Sequence, residues 1–208
     1  MKKEKDWSKI AEDFDERQDY VVGEQTSKLI DLELKRLENL GNTLEFGCGN
    51  GKHTKILAAA SAHITATDIS LEMIFIARKK LKNLRNVSFE VKDCYFTDYP
   101  DNTFDTVFMG NLIHVILEPQ KVLLEAHRVL KPSGNLVIVS FTPDGMSKES
   151  LNLMIKKYLD KLGAFPEISK PVMLMDLRQL LLDCDFCIKD LKLIGEDTKA
   201  MFAKAQYA

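Results

Sequence analysis

The sequence predicts an α/β fold in which helices cover a mostly parallel β-sheet. Short apolar runs of strand length alternate with segments of helical periodicity through most of the 208 residues, and this alternation is typical of parallel strands joined by right-handed helical crossovers. A glycine-rich loop follows the first strand-like run. Hydrophobic residues make up 45% of the chain, which is enough apolar material for a core without disulfides or metals.

The alternation begins with a helix, because the apolar positions of residues 25–40 recur at helical spacing. The apolar run TLEFGC then predicts a strand, and residues 52–60 predict a short helix. The alternating segment HITATDIS predicts a second strand that ends at Asp68. These elements place the glycine-rich loop between the first strand and the helix after it.

The helix after the second strand has a clear start, since Ser70 is a preferred N-cap residue. The segment that follows it, LEMIFIARKKLKNL, keeps its apolar residues on one face. A third strand is expected at VSFEVKD, ending at Asp93, and a fourth at FDTVFMG. The continuous apolar run of the fourth strand is typical of a strand that is buried on both faces.

The last part of the chain predicts one more crossover strand and a hairpin. Pro119 suits the first turn of the helix PQKVLLEAHRVL, and GNLVIVSF is the fifth strand. Two helices follow, one over 151–162 that Gly163 closes and one over 174–184. The carboxyl-terminal segment predicts two strands joined through GED. Five crossover strands and a terminal hairpin are therefore expected.

The composition indicates the cellular environment of the protein and the class of partner that it binds. The formal net charge is -2, whereas a dedicated nucleic-acid binder usually has a basic excess. The stretch MKKEKDWSKI is charged and has no apolar region after it, so we expect no secretory signal, and no apolar run is long enough to span a bilayer. Four cysteines without framework spacing indicate reduced thiols. We expect a soluble cytoplasmic protein with no nucleic-acid partner and no membrane span.

The glycine-rich loop GCGNG predicts a ligand site, because clustered glycines let a ligand approach the backbone where a strand enters a helix. Dinucleotide-binding loops have the spacing G-x-G-x-x-G, and here the third glycine comes one position early. Asp68, at the end of the next strand, lies where such folds bind a ribose hydroxyl. Glu45, just before the loop, would repel a pyrophosphate and favour a ligand with an ammonium or sulfonium group. The pattern favours S-adenosylmethionine over a dinucleotide.

Taken in order, the motifs resemble those of class I S-adenosylmethionine-dependent methyltransferases. LEFGCGNGKHT resembles the first motif, TATDIS the second, VKDCYFTDYPDNTFDTVFMGNLIHVI the third and fourth, and AHRVLKPSGNLVIVSF the strand-five signature. The resemblance covers residues 44–141 and is to the small-molecule branch that includes ubiquinone and menaquinone biosynthesis methyltransferases. It implies a Rossmann-like seven-stranded sheet in the order 3-2-1-4-5-7-6 with the last strand antiparallel. It also implies S-adenosyl-L-methionine as cofactor and S-adenosyl-L-homocysteine as product.

The resemblance further implies which residues contact the cofactor. The acid of the first strand and the glycine loop would hold the methionyl part, the acid after the second strand would hold the ribose, and residues after the third and fourth strands would contact the adenine and the reacting end. The cofactor-binding residues implied are Glu45, Gly47, Cys48, Gly49, Asn50, Gly51, Asp68, Ile69, Met73, Asp93, Cys94 and Asn111. On this basis we divide the chain into an amino-terminal helical lid (1–40), a cofactor-binding core (41–141) and substrate-side helices with the terminal hairpin (142–208).

Two side chains are candidates for a catalytic group. His114, after the fourth strand, can be a general base or a packed histidine on a short helix. Tyr20, at the end of the segment that we expect to act as a lid, is a second candidate. Methyl transfer from a sulfonium is an in-line displacement that proximity and desolvation can drive, so neither group is required. His53, His63 and His127 are expected to be structural or solvated.

The methyl acceptor is expected to be a small molecule. After the fourth strand the sequence reads GNLIH instead of the N-P-P-aromatic motif of enzymes that methylate amino groups of nucleic acids, and it has no Pro-Cys nucleophile for cytosine carbon-5. The extra segment at 143–172 is too short for an appended recognition domain. Candidate residues for an apolar acceptor pocket are Met146, Met154, Met173 and Met175.

Two other functions stay open at this point. One is a binding protein that keeps the cofactor site without turnover, as a sensor or a partner subunit. The other is a nicotinamide oxidoreductase, which the loop spacing and Glu45 disfavour. The pair Cys184 and Cys187 lacks the second pair that a zinc site needs, so we expect a structural role for it and no metal. Both a monomer and a homodimer are compatible with the sequence.

Overall fold

A β-sheet of seven strands forms the centre of the protein. The computed structural model describes residues 8–165 and 171–207. The strands are β1 Gly41–Phe46, β2 Ser61–Asp68, β3 Val87–Val91, β4 Phe104–Gly110, β5 Leu130–Thr142, β6 Phe186–Ile194 and β7 Lys199–Tyr207. They lie in the order β3-β2-β1-β4-β5-β7-β6, with β1 to β5 parallel and β7 antiparallel to both of its neighbours. The predicted fold class, strand order and antiparallel last strand are confirmed.

Helices cover both faces of this sheet. They are α1 Phe14–Val22, α2 Glu24–Leu34, α3 Lys52–Leu57, α4 Leu71–Lys80, α5 Pro119–Val129, α6 Lys148–Leu162 and α7 Leu174–Asp183, and a 3₁₀ turn at Ser8–Ile10 precedes them. Buried residues of α5 and α7 belong to one hydrophobic cluster, and buried residues of α2, α3 and α4 belong to another. The sheet therefore has a core on each side.

Strand β4 shows why the sequence has a continuous apolar run there. Successive side chains of a strand point to opposite faces. Val107 and Met109 belong to the cluster that α5 and α7 cover, whereas Phe108 between them belongs to the cluster with α2 and α4. All three side chains are fully buried, as predicted for a central strand with helices on both sides.

Three helices end earlier than predicted, among them α4, which was expected to extend to 84 and ends at Lys80. The helix predicted over 25–40 ends at Leu34, and the chain then turns so that the Leu40 N–H donates to the Ala60 carbonyl oxygen at 2.9 Å. The helix predicted over 52–60 ends at Leu57. Leu37, Leu40 and Ala58, which follow the helices that end at Leu34 and Leu57, are still buried, so part of the hydrophobic spacing continues although the helices do not.

Two strands also differ from their predicted bounds. β3 ends at Val91, because Asp93 forms a turn in which its Oδ1 accepts a hydrogen bond from the Tyr95 N–H at 2.9 Å. β5 begins at Leu130, which pairs with Phe104 ahead of an irregularity in the register. Neither change moves the carboxyl ends of β1, β2 and β4, where the predicted site lies.

Three predicted helix ends are confirmed. The Ser70 hydroxyl oxygen accepts a hydrogen bond from the Met73 N–H at 3.2 Å and caps α4. Pro119 lies in the first turn of α5. Gly163 ends α6 with a φ of 74°, a conformation that glycine adopts without steric cost.

Parts of the predicted division of the chain lie outside the described residues, namely 1–7 of the lid and 166–170 and 208 of the carboxyl-terminal part. Among the helices within 8–165 and 171–207, none is long and apolar enough to cross a bilayer.

Candidate functional site

A cavity of about 450 Å³ opens at the carboxyl edge of the sheet. Its floor is formed by the segments that follow β1, β2 and β4 and by the end of β5, and α1 and α6 lie across it. In parallel α/β sheets this edge is where ligands bind, and the volume is in the range of small-molecule sites. The cavity is therefore the candidate site.

The glycine loop lines one end of this cavity. Gly47, Gly49 and Gly51 have φ angles of 67°, 54° and 89°, which side chains rarely tolerate. A Cβ atom on Gly49 would meet no heavy atom within 4 Å, so its backbone faces open space in the cavity. A Cβ atom on Gly51 would lie 2.8 Å from Leu81 Cδ1, so this glycine lets the loop pack on the segment after α4. The Cys48 N–H donates to the Thr67 carbonyl oxygen at 2.8 Å and ties the loop to β2.

Asp68 stands at the end of β2, beside the glycine loop. Its Oδ2 accepts a hydrogen bond from the Gly49 N–H and its Oδ1 accepts one from the Ser70 N–H, both at 2.9 Å. Burial raises the pKa of Asp68 above its ordinary value. Each carboxylate oxygen has a further lone pair, so the side chain can still accept hydrogen bonds from ligand hydroxyls.

Glu45 lies behind the loop and not in the cavity wall. Its side chain is buried on β1, and Oε2 accepts a hydrogen bond from the Thr54 hydroxyl at 2.6 Å. Burial raises the pKa of Glu45 to about 7. When ionised, this carboxylate adds to the negative potential of the glycine end without contacting the cavity.

Asn111 follows β4 and lines the cavity with a buried acceptor. Its φ is 56°, and its N–H donates to the Val139 carbonyl oxygen at 2.7 Å. Within the part of the chain that the structure describes, its Oδ1 is buried and has no hydrogen-bond partner. Because a buried acceptor without a donor is costly, Asn111 marks a position where a bound ligand would supply an N–H or O–H group.

His114 lies in the turn after Asn111 and also lines the cavity. Its Nδ1 lies 2.8 Å from the hydroxyl oxygen of Ser140, which is fully buried on β5. The edge of the Phe141 ring packs on the imidazole, with 6.4 Å between the centroids. Burial lowers the pKa of His114 to about 4, so the ring is neutral near pH 7.

The other end of the cavity is apolar and is formed by α1 and α6. Helix α6 has no buried residue, and its apolar stripe forms a cavity wall instead of packing into the core. Tyr158 and Phe165 stack at 4.1 Å with an angle of 7° between their planes. The large apolar residues of this wall are Phe14, Val21, Val22, Leu151, Met154, Ile155, Tyr158, Leu162 and Phe165.

Several predicted site residues do not line the cavity. Tyr20 is 47% exposed on α1, and the ammonium groups of Lys157 and Lys161 lie 5.5 and 5.2 Å from its ring centroid. Asp93 is exposed in the turn after β3. The residues predicted for the site that lie outside the cavity wall are Tyr20, Glu45, Gly51, Ile69, Asp93 and Cys94, and those in the wall are Gly47, Cys48, Gly49, Asn50, Asp68, Met73, Asn111 and His114.

Sequence reasoning missed His53 as a cavity residue. We expected it to be structural or solvated, but it is buried in the cavity wall with its ring edge-on to Phe108, and burial lowers the pKa of His53 to about 4. A Cβ atom on Gly110 would lie 2.3 Å from its Nδ1, so only glycine leaves room for the imidazole. The position of His53 in the sequence could have predicted this, because the first turn of a helix after a glycine loop faces the ligand.

Lys52, which precedes His53, was missed as well. It lines the cavity, and its Nζ lies 2.5 Å from Asp19 Oδ1 of α1. Asp19 Oδ1 also accepts a hydrogen bond from the Ser27 hydroxyl at 2.7 Å. The ion pair joins the helix after the glycine loop to the helix that covers the cavity.

The remaining candidates contribute little to the site. Of the four methionines proposed for an acceptor pocket, only Met154 lies in the cavity wall. Cys184 is buried and Cys187 is exposed. In residues 8–165 and 171–207 no cluster of three or more histidine, cysteine or acidic side chains has a geometry that could hold a metal ion.

Comparison with known proteins agrees with this geometry. Residues 44–138 match a family of methyltransferase domains. The chain is 34% identical over 99 residues to demethylmenaquinone methyltransferase from Tropheryma whipplei (strain Twist), which covers 48% of this chain and 41% of that protein. It is 30% identical over 133 residues to the ubiquinone/menaquinone biosynthesis C-methyltransferase UbiE from Hydrogenovibrio crunogenus, which covers 61% of this chain and 50% of that protein. The match spans about half the length of these relatives or less.

A solved structure shares the whole architecture. A SAM-dependent methyltransferase from Aquifex aeolicus is 22% identical and superposes with a TM-score of 0.73 over 98% of this chain and 100% of that one. At this level of identity the likeness establishes the fold.

Proposed function

We propose that this chain, whose residues 44–138 are a class I S-adenosylmethionine-dependent methyltransferase domain, transfers a methyl group from S-adenosylmethionine to a small apolar acceptor. One observation carries the proposal. The same cavity is lined by Gly49 and Asp68 at the carboxyl ends of β1 and β2, by Asn111 and His114 after β4, and by apolar side chains of α6.

The residues at the glycine end fit this cofactor. Its ammonium and hydroxyl groups are donors, and the chain offers the Asp68 carboxylate and the unpartnered Asn111 Oδ1 as acceptors. The open space at Gly49 allows a ligand to lie against the backbone. Glu45 and Asp68 favour a ligand with positive charge over a pyrophosphate. Of the cofactor-binding residues that the family resemblance implies, we assign this role to those that line the cavity.

The chain's own contribution would be alignment and exclusion of water. When bound, S-adenosylmethionine supplies an already activated methyl group. Helices α1 and α6 cover the cavity with apolar side chains, which desolvates the reacting atoms, and the cavity holds the two molecules in one orientation. His114 is, with Asn111, one of the polar side chains after β4 that line the cavity, and we retain it as the group that contacts the acceptor. Tyr20 does not line the cavity and is the weaker candidate.

The apolar wall indicates the class of acceptor. The aromatic and aliphatic side chains of this wall suit a flat, apolar ring compound. One relative is named a demethylmenaquinone methyltransferase and the other a ubiquinone/menaquinone biosynthesis C-methyltransferase. A quinone-type acceptor, as these names state for those proteins, is compatible with this wall. We therefore propose an apolar ring compound of that kind, and keep the division into lid, cofactor core and substrate-side helices as part of the proposal.

The first experiment compares binding of S-adenosylhomocysteine with binding of NADH by calorimetry. The proposal predicts saturable binding of the first and none of the second. Labelled S-adenosylmethionine is then tested with demethylmenaquinone and a panel of apolar phenols and ring ketones. Label in at least one acceptor supports methyl transfer. Tight cofactor binding with no transfer to any acceptor would favour a sensor or partner subunit, and NADH binding without S-adenosylhomocysteine binding would contradict the proposal.

A pair of matched variants tests the placement of the cofactor. Asp68→Asn removes the negative charge from the cavity wall, whereas Asp93→Asn makes the same change at an exposed turn outside it. Charged hydrogen bonds contribute about 1.5–3 kcal/mol, so the Kd for S-adenosylhomocysteine should rise by roughly 10- to 100-fold in Asp68→Asn and by less in Asp93→Asn. A larger effect at Asp93 would show that the ligand lies mainly outside the cavity.

A further inference from the structure

The pair formed by His114 and Ser140 determines which nitrogen of the imidazole carries the proton. Ser140 is fully buried on β5, and its hydroxyl oxygen lies 2.8 Å from His114 Nδ1. Among the described residues, the only other hydrogen-bond partner of this hydroxyl is the Phe141 carbonyl oxygen, at 3.5 Å. The first distance is that of a good hydrogen bond, and the second lies beyond the usual range for a hydroxyl donor.

The two possible tautomers differ in how they satisfy this buried hydroxyl. If Nδ1 carried the proton, Nδ1 would donate to the Ser140 oxygen, and the Ser140 proton would have only the distant Phe141 oxygen. If Nε2 carries the proton, the Ser140 hydroxyl donates to Nδ1 at 2.8 Å and no donor is left unpaired. Buried donors are almost always paired, so the second tautomer is the one that the geometry favours.

The free edge of the ring then presents a donor to the cavity. His114 lines the cavity, and Nε2 has no hydrogen-bond partner among the residues that the structure describes. The ring is neutral, because burial lowers the pKa of His114 to about 4. A neutral imidazole with its proton on Nε2 has no lone pair on that side with which to accept a proton.

Resting on the proposed function, we infer that His114 is a hydrogen-bond donor to the methyl acceptor and not its general base, and that Ser140 is the positioning residue that sets this role. The acceptor must then carry an oxygen that accepts a hydrogen bond at His114, either a carbonyl oxygen or an ionised hydroxyl. The inference narrows the acceptor class to compounds that react as phenolates or as the enolates of ring ketones.

The proton balance agrees with this role. An acceptor that enters as the anion has lost its proton to water, and the Nε2–H group stabilises its negative charge. Its nucleophilic atom takes the methyl group, the electron pair of the carbon–sulfur bond stays on sulfur, and two opposite charges are neutralised. When the nucleophilic atom is oxygen, no proton remains for His114 to remove; when it is a ring carbon that carries hydrogen, that proton leaves to water after the methyl transfer.

Nitrogen NMR of the ligand-free protein, labelled with ¹⁵N-histidine, tests the tautomer without any methyl transfer. At pH 7 the inference predicts that His114 Nε2 is protonated and Nδ1 is not. Ser140→Ala should shift His114 towards a mixture of the two forms. The matched control is Ser88→Ala, because Ser88 contacts His63 Nε2 at 3.0 Å outside the cavity, and this change should leave the His114 signals as they are. A proton on Nδ1 of the wild type would overturn the inference, whatever the activity.

Two substitutions of His114 then separate the donor role from the base role. His114→Gln keeps an N–H donor, whereas His114→Leu removes it. With an acceptor found by the labelled-donor screen, the donor role predicts that Gln retains at least 10-fold more kcat/KM than Leu. Equal losses in the two variants, with circular dichroism showing both folded, would overturn the donor role. Failure of the wild type to methylate any acceptor would instead contradict the proposed function and leave the tautomer result standing.

Discussion

The two ends of the cavity are built from different parts of the chain. At the glycine end the ligand would meet backbone groups and the Asp68 carboxylate, which strand hydrogen bonds and the Gly49 N–H hold in place. At the other end it would meet side chains of α1 and α6, and α6 buries none of its residues in the core. On the proposed function, cofactor recognition would depend on the sheet itself, whereas acceptor recognition would depend on a helical layer that can change without changing the sheet.

The largest effect is expected from filling the glycine end. Gly49→Val places a branched side chain in open cavity space at a φ of 54°, so the Kd for S-adenosylhomocysteine should rise by at least about 100-fold, or more than about 2.7 kcal/mol. The matched control is Gly163→Val, which has a φ of 74° and equally open space but lies at the end of α6. Calorimetry should show nearly normal binding for the control, and equal losses in both would show that backbone strain and not occupancy is responsible.

The glycine end should also control the pH dependence of stability. The pKa of Glu45 rises from 4.5 to about 7 on folding because the side chain is buried. The folded state therefore holds more protons than the unfolded state between these values, so this contribution is complete below pH 4.5 and is lost as pH rises through about 7. At 1.4 kcal/mol per pH unit the loss is about 3 kcal/mol.

Glu45→Gln should flatten that part of the curve in urea unfolding at pH 5 to 8. The buried His53 and His114 have lowered pKa values, so their contribution to stability increases with pH. This contribution is the same in the wild type and in Glu45→Gln. An unchanged slope in the variant would mean that Glu45 ionises in the folded protein as it does in water.

The same comparison explains how much could be predicted from the sequence. The residues of the glycine end lie in short contiguous segments of the chain, so local sequence patterns were enough to predict GCGNG, Asp68 and the Ser70 cap. The strand order was predicted from the family resemblance. The apolar wall combines α1 with α6, which are far apart in the chain, and periodicity alone cannot say whether a helical stripe faces a core or a cavity. The position of His53 in the first turn of α3 was a local signal, but its burial in the cavity wall depends on the space left by Gly110 on β4, which is far along the chain.

The acceptor wall should be separable from the cofactor site. Ile155→Asp puts an unpaired carboxylate into the apolar wall, which is unfavourable by about 2 kcal/mol or more, so kcat/KM for the acceptor should fall by about 30-fold while the Kd for S-adenosylhomocysteine changes by less than about twofold. Leu159→Asp is the matched control, because Leu159 lies one turn further along α6 and is exposed. Loss of cofactor affinity in Ile155→Asp would show that the two ends are not independent.

The smallest effect is expected where the two regions are joined. The Lys52–Asp19 ion pair links α3 to α1 and is about two-thirds to three-quarters buried, so Lys52→Met should destabilise the packing of α1 on the rest of the protein by about 1 kcal/mol. Hydrogen exchange should become faster in α1 and stay unchanged in the sheet. Lys28→Met, which breaks an exposed pair within α2, is the control, and equal exchange in both variants would contradict a linking role for Lys52.

The most direct measurement is a crystal structure of the protein with S-adenosylhomocysteine at saturating concentration. We predict that the ribose hydroxyls lie within hydrogen-bond distance of the Asp68 carboxylate and that the amino group of the ligand lies at Asn111 Oδ1, with the sulfur facing the apolar wall of α6. Density for the ribose elsewhere, or an empty cavity at saturation, would contradict a cofactor site at the glycine end.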